Sequence, residues 1–192
     1  GKAFQKGQEI ARITTEGNAH TAQIPAVLQT GTYVIREIQA PAGYLIGNWE
    51  RTFTLTENGQ ILDLTKDGAK NDVIRGGIAL RKADAERESG AQGAASLEGA
   101  QFEIVSRNAQ QVMVNGKIFN KDEVVMTLTT DGEGVAKTSE DALPYGTYLY
   151  REVKAPEGYT GKGSSLSGTV QIRTDQKVED LTQKDKAAKN EI

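Results

Sequence analysis

Few side chains in this chain have the type and spacing that chemistry requires. His20 is the only histidine, and cysteine is absent. A lone histidine gives a Ser-His-Asp arrangement little support and excludes a multi-histidine zinc site. Without cysteine there are neither disulfides nor thiolate-bound metals. Asp131-Gly132-Glu133-Gly134 resembles a short calcium loop, but it lacks the further acidic ligands of a complete one and reads as a hairpin turn. Tyr44, Trp49 and Phe53 make either a ligand-stacking patch or the cap of a small core, and the cap is the commoner use of such a trio. Asn48 precedes Trp49-Glu50 and is not a glycosylation sequon. No metal or cofactor is expected. What remains is amine, carboxylate and carboxamide chemistry, and one element of it recurs: Arg-Glu stands in the same frame at 36–37 and at 151–152.

That recurrence is part of a longer one. Residues 1–44 repeat at 116–159 without a gap, with 17 identities in 44 positions at a constant offset of 115. GKAFQKGQEI answers GKIFNKDEVV, and GTYVIREIQAPAGY answers GTYLYREVKAPEGY. Self-similarity on this scale means tandem copies of one domain. The second copy starts some forty residues before Gly116, the counterpart of Gly1, so the first copy is expected to lack its N-terminal part. The expected domains are 1–73, incomplete, and 74–192, complete.

Composition narrows the class. A length of 192 residues, 37% hydrophobic content and 21 glycines suit short strands joined by many turns. A net charge of −3 with mixed signs supplies neither a nucleic-acid stripe nor a polybasic membrane patch. No apolar run has the length of a membrane-spanning helix, and no leader peptide opens the sequence, which therefore reads as a mature segment. A cysteine-free extracellular β-protein fits a Gram-positive surface protein, stabilised by something other than disulfides.

Nearly every segment has the period of a strand. TYVIREI (32–38), RTFTLTE (51–57), GGIALRKAD (76–84), AQFEIVS (100–106), VVMTLTT (124–130), GTYLYREV (146–153) and GTVQIRT (168–174) alternate or are rich in β-branched and aromatic residues. Asn58-Gly59, Asn115-Gly116, Asp131-Gly132 and the two Pro-x-Gly segments at 41–43 and 156–158 supply turns. The expected fold is all-β, two tandem Ig-like, prealbumin-like sandwiches. Residues 89–96 read as an exposed loop, and residues 184–189 as a solvated connector. Tyr44 and Tyr159 are expected to pack beneath the Pro-x-Gly turns.

The ordered motifs resemble the Cna protein B-type domain, or SpaA-type prealbumin-like domain, of Gram-positive adhesins and pilins. The second copy carries Lys82-Ala83-Asp84 and Leu97-Glu98-Gly99-Ala100-Gln101-Phe102. The Thr-Thr-Asp-Gly turn at 129–132 follows, then Gly-x-Tyr-x-x-x-Glu-x-x-Ala-Pro-x-Gly-Tyr at 146–159, and finally Lys189-Asn190. The first copy matches from Thr14-Thr15-Glu16-Gly17 through Gly31–Tyr44 to Lys70-Asn71.

The resemblance implies a self-formed isopeptide bond between Lys82 and Asn190, with Glu152 as proton shuttle. The residue types suit that reaction. Burial lowers a lysine pKa and raises a glutamate pKa, so the pair can be uncharged while the fold holds amine and carbonyl together. Each residue also has an ordinary reading: a solvent-facing lysine, an edge carboxylate, a turn asparagine. In the first copy Glu37 and Asn71 occupy the equivalent positions, but Lys2 and Lys6 align with Lys117 and Lys121, so the partner lysine is absent.

The expectation is a stalk segment of a wall-anchored adhesin or pilin on the bacterial surface, not an enzyme in the turnover sense. Its partners would be neighbouring domains of the same protein and a host surface or matrix ligand. Nucleic acid and membrane insertion are not expected. Two alternatives are a ligand-binding adhesin module and an accessory β-domain of a surface enzyme.

Overall fold

Alternation of apolar and polar residues becomes strand pairing along most of the chain. The computed structural model describes residues 4–24, 28–87, 90–160, 167–183 and 188–190. Two compact units result: Gly1–Ala40 with Ile46–Asn71, and Pro41–Leu45 with Asp72–Ile192.

In the first unit, β1 (Gly31–Arg36) pairs antiparallel with β2 (Glu50–Leu55), Gly31 opposite Leu55 and Arg36 opposite Glu50. Tyr33 stacks on Phe53 across the pair, ring centroids 5.6 Å apart. A short 3-10 turn, Thr65–Asp67, accepts the Trp49 indole N–H at the Asp67 carbonyl, 2.7 Å away. Of the expected trio, Phe53 stacks on Tyr33 in this unit, and Tyr44, which belongs to the other unit, bridges Val73 there. Leu55 is buried, whereas Val34, Ile38, Ile46 and Ile61 are exposed.

The second unit is a full sandwich. Its strands are β3 (Arg75–Asp84), β4 (Gln101–Ser106), β5 (Val112–Val114), β6 (Lys117–Phe119), β7 (Val124–Thr129), β8 (Val135–Lys137), β9 (Leu143–Pro144), β10 (Gly146–Lys154), β11 (Ser167–Ile172), β12 (Lys177–Leu181) and β13 (Ala188–Asn190). One antiparallel sheet has the order β11-β10-β4-β7. The other is organised on β3, which takes β12 and β13 in parallel and β8 and β9 antiparallel. The inward faces interleave Ile78 and Leu80 with Phe102, Ile104, Tyr148, Tyr150, Val170 and Ile172, which makes one continuous core.

Three local expectations are corrected. Residues 184–187 lie outside the described residues, but Ala188–Asn190 is a strand on β3 rather than a connector. The segment from 90 to 96 is a loop but only partly exposed, because Ser96 donates its N–H to the Glu157 carbonyl and Ala95 lies against Gly158. Tyr159 does pack beneath its turn, at 8% exposure, but Tyr44 stands 47% exposed.

Candidate functional site

The pleat of β3 places a lysine where an apolar residue would be expected. Ile78, Leu80, Lys82 and Asp84 occupy alternate positions, face inward and are all buried, Lys82 completely. An isolated ammonium there would lose its hydration without compensation. Its compensation is Glu152. The Lys82 Nζ lies 3.1 Å from Oε1 and 3.3 Å from Oε2 of that carboxylate, whose side chain is itself only 6% exposed. Glu152 follows Tyr148 and Tyr150 on the inward face of β10 and stands opposite Phe102 of β4. Burial pushes the Lys82 amine below its ordinary pKa, and the charge and hydrogen bond of Glu152 oppose that shift.

The backbone around Lys82 is also fixed. Its N–H donates to the Gly134 carbonyl at 2.7 Å. Gly134 has φ +77°, and a Cβ there would come within 2.7 Å of the Lys82 carbonyl oxygen, so the turn from β7 to β8 needs glycine at this point. The turn itself is held by Asp131, whose Oδ1 accepts the N–H groups of Glu133 and Val135. Asp131-Gly132-Glu133-Gly134 is thus a turn with its carboxylate used internally, but it crosses between the two sheets, from β7 on β4 to β8 on β3, and is not the hairpin expected.

Asn190 lies on β13, whose register on β3 sets Ala188 beside Lys82 and Asn190 beside Asp84. The parallel pairing brings the end of the chain alongside the lysine-bearing strand. Asn190 falls at a position of the same parity as Lys82 along the two strands.

In the first unit Glu37 and Asn71 meet directly. Asn71 Nδ2 donates to Glu37 Oε1 at 2.8 Å. Among the described residues, the two remaining oxygens, Glu37 Oε2 and Asn71 Oδ1, are buried without a hydrogen-bond partner. Both are acceptors, so what the pocket lacks is a donor. Lys6 is exposed. The two units therefore display complementary contacts around equivalent glutamates: amine to carboxylate in one, carboxylate to carboxamide in the other.

One residue at the site went without a role in the sequence. Asp84 is buried at the end of β3. Its Oδ1 accepts the N–H groups of Glu86 and Arg87 and the amide of Gln92, and its Oδ2 accepts the Tyr159 hydroxyl at 2.9 Å. The Arg87 N–H and these other donors hold its pKa down at about 2, against the opposing effect of burial. The signal for its burial was legible, since it continues the inward parity of Ile78, Leu80 and Lys82. Its partner was not, because Tyr159 is remote in sequence.

Residues 3–70 and 77–187 match the SpaA prealbumin-like fold domain family. No curated protein matches the chain. Among solved structures, the Bacillus anthracis TIE protein is similar at 26% identity and a TM-score of 0.55, over 85% of this chain and 25% of that one. BcpA, the major pilin subunit of Bacillus cereus, aligns at 22% identity and a TM-score of 0.41, over 77% of this chain and 34% of that one. GBS52, the minor pilin of Streptococcus agalactiae, aligns at 19% identity and a TM-score of 0.39, over 96% and 68% respectively. The chain spans about a quarter of the TIE protein's length.

Proposed function

Because this chain belongs to the SpaA-type prealbumin-like fold family, we propose that it is a stalk segment of a Gram-positive wall-anchored adhesin or pilin subunit. Its second unit would be locked by a Lys82–Asn190 isopeptide bond. The observation that carries this reading is a fully buried lysine held by a buried glutamate on the strand that β13 joins in parallel.

The reaction balances without an added reagent. Glu152 takes a proton from the Lys82 ammonium, leaving a neutral amine beside a carboxylic acid. Nζ attacks the Asn190 carboxamide carbon while the Glu152 O–H hydrogen-bonds the amide and polarises it. A second amine proton passes through Glu152 to the leaving nitrogen. The new C–N bond forms, the old one breaks, and the leaving nitrogen also takes the proton that Glu152 first accepted, so it departs as ammonium and Glu152 ends as the carboxylate it began as. Two features support this sequence of events: the low dielectric around Lys82 favours the neutral amine, and the sandwich removes the entropic cost of bringing the ends together. The Glu37–Asn71 contact in the first unit supports the approach of this glutamate to a carboxamide, although there Asn71 Nδ2 is the donor and the O–H donation of the mechanism runs the other way.

The bond would form once per molecule, so the chain is a structural protein and not an enzyme in the turnover sense. Its place is extracellular, on the cell wall, between neighbouring domains of one surface protein. A host surface or matrix ligand is a further expected partner. Peptide mapping tests the site assignment: digestion should release a branched peptide joining the segments around Lys82 and Asn190. Recovery of both segments only as separate linear peptides would refute it.

A further inference from the structure

We propose that Asp84 is a positioning residue for this crosslink, clamping the end of β3 to the segment that follows β10 so that Lys82, Glu152 and the strand of Asn190 stay in reacting register. The inference rests on the crosslinking reading above and assigns it a fourth residue.

The two carboxylate oxygens of Asp84 do different work. Oδ1 gathers the backbone N–H groups of Glu86 and Arg87 with the Gln92 amide, which turns the chain sharply as β3 ends. Oδ2 reaches across to Tyr159, seven residues beyond Glu152 in sequence. Tyr159 is fixed in its own turn, donating its N–H to the Pro156 carbonyl, while Gly158 lies against Ala95 so closely that a Cβ would come within 2.7 Å of the alanine methyl. The Asp84–Tyr159 bond is therefore a second tie between the same two chain segments that Lys82 and Glu152 connect. It sits two residues along β3 from Lys82, about 7 Å at the rise of a strand. It also lies at the register position of Asn190.

Asp84 is not itself a proton carrier in this arrangement. Four donors already occupy its oxygens, and none of them is Lys82. The repeat supplies an internal comparison: the equivalent tyrosine in the other Ala-Pro-x-Gly-Tyr segment, Tyr44, is 47% exposed, against 8% for Tyr159. The motif alone does not bury its tyrosine, and the carboxylate of Asp84 is what meets the buried one.

The test follows bond formation in the freshly synthesised full chain by time-resolved intact mass, for wild type, Asp84→Ala, Tyr159→Phe and Asp84→Asn. Folding is monitored in parallel by circular dichroism, with each substitution also placed in a Glu152→Gln background to measure stability without the bond. A misplacement near 1 Å costs a proximity-driven reaction up to about a hundredfold, so Asp84→Ala should lose ammonia at least about tenfold more slowly than wild type although folded. Tyr159→Phe should be slowed as well. Asp84→Asn keeps an oxygen for the turn and presents an N–H to the Tyr159 hydroxyl, so it should react close to the wild-type rate. Wild-type rates in folded Asp84→Ala and Tyr159→Phe would overturn the inference while leaving the crosslink intact. An Asp84→Asn variant as slow as Asp84→Ala would overturn it too, because charge rather than position would then be the cause. If Asp84→Ala does not fold, Tyr159→Phe decides: a slowed rate supports the clamp and an unchanged one refutes it. A wild-type chain that never loses ammonia would refute the crosslink, and the clamp with it.

Discussion

The segments that begin with β1 and β10 carry the same Gly-Thr-Tyr-x-x-Arg-Glu, yet the structure surrounds them differently. In β10, Tyr148 is fully buried and Tyr150 nearly so, and Glu152 holds a lysine. In β1, Tyr33 and Ile35 are only partly buried and Val34 is exposed, and Glu37, just past the strand's end, has one oxygen without a partner among the described residues. The difference lies in what covers the strand. β10 is paired on both sides, by β11 and β4, and β3 contributes Ile78, Leu80 and Lys82 to the core beneath it. Among the described residues β1 pairs only with β2. The repeat shows that a glutamate of this motif is built to be buried, but burial and a partner come from strands outside the motif.

The comparison can be broken at its strongest point by removing the acid. Glu152→Gln keeps the shape of the side chain but cannot relay protons. The second unit should still fold, with Lys82 and Asn190 free and no ammonia lost. The proposed bond would close a loop of about 108 residues, so its absence should lower unfolding stability by about 4–5 kcal/mol on the chain-entropy argument. Complete crosslinking in that variant would mean that another acid does the work.

Proteolysis sharpens the contrast between the two units directly. A domain with exposed aliphatic side chains and, among the described residues, open edges on both β1 and β2 samples cleavable states more often than one closed by the proposed bond. Residues 1–72 should be digested first, leaving a core of roughly 75–192, as read by peptide mapping over time. Greater resistance in residues 1–72 would reverse the assignment of the crosslink.

Much of the fold was legible because alternation survives in β1, β2, β3, β4, β7, β10 and β11. Lys82 was singled out by the family resemblance rather than by alternation, although it shares the parity of Ile78 and Leu80. The strand of Asn190 was not legible. The charged, alanine-rich run before it has no period of two, and Ala188–Asn190 pairs only because β3 offers it an edge. The three-residue strands β5, β6 and β8 are too short for a periodic signal, although the Asn115-Gly116 turn between the first two was visible. Contacts such as Asp84 with Tyr159 depend on chain reversal over long distances, which no local pattern encodes.

Smaller effects test the surroundings of Lys82. Gly134→Ala forces a Cβ against the Lys82 carbonyl at positive φ, so the second unit should lose about 1–3 kcal/mol, measured by denaturant unfolding in the Glu152→Gln background. An unchanged midpoint would show that the turn can move away from β3. Asp84 predicts a weaker, pH-dependent effect. Its folded pKa of about 2 lies below the unfolded value of about 3.9, so its contribution is complete above the higher value. The contribution should fade as pH falls from there through about 2. Stability of Glu152→Gln should drop across that window, and Asp84→Asn in the same background should flatten the drop.

The intact mass of the purified chain tests the central claim most directly. In the second unit Lys82 meets Glu152 and the strand of Asn190 pairs with β3, while the described residues of the first bring together only Glu37 and Asn71. The chain should therefore be lighter than its sequence by one ammonia and not two. A mass equal to the unreacted sequence would contradict the crosslink, and a loss of two would show that Glu37 and Asn71 had found a lysine after all.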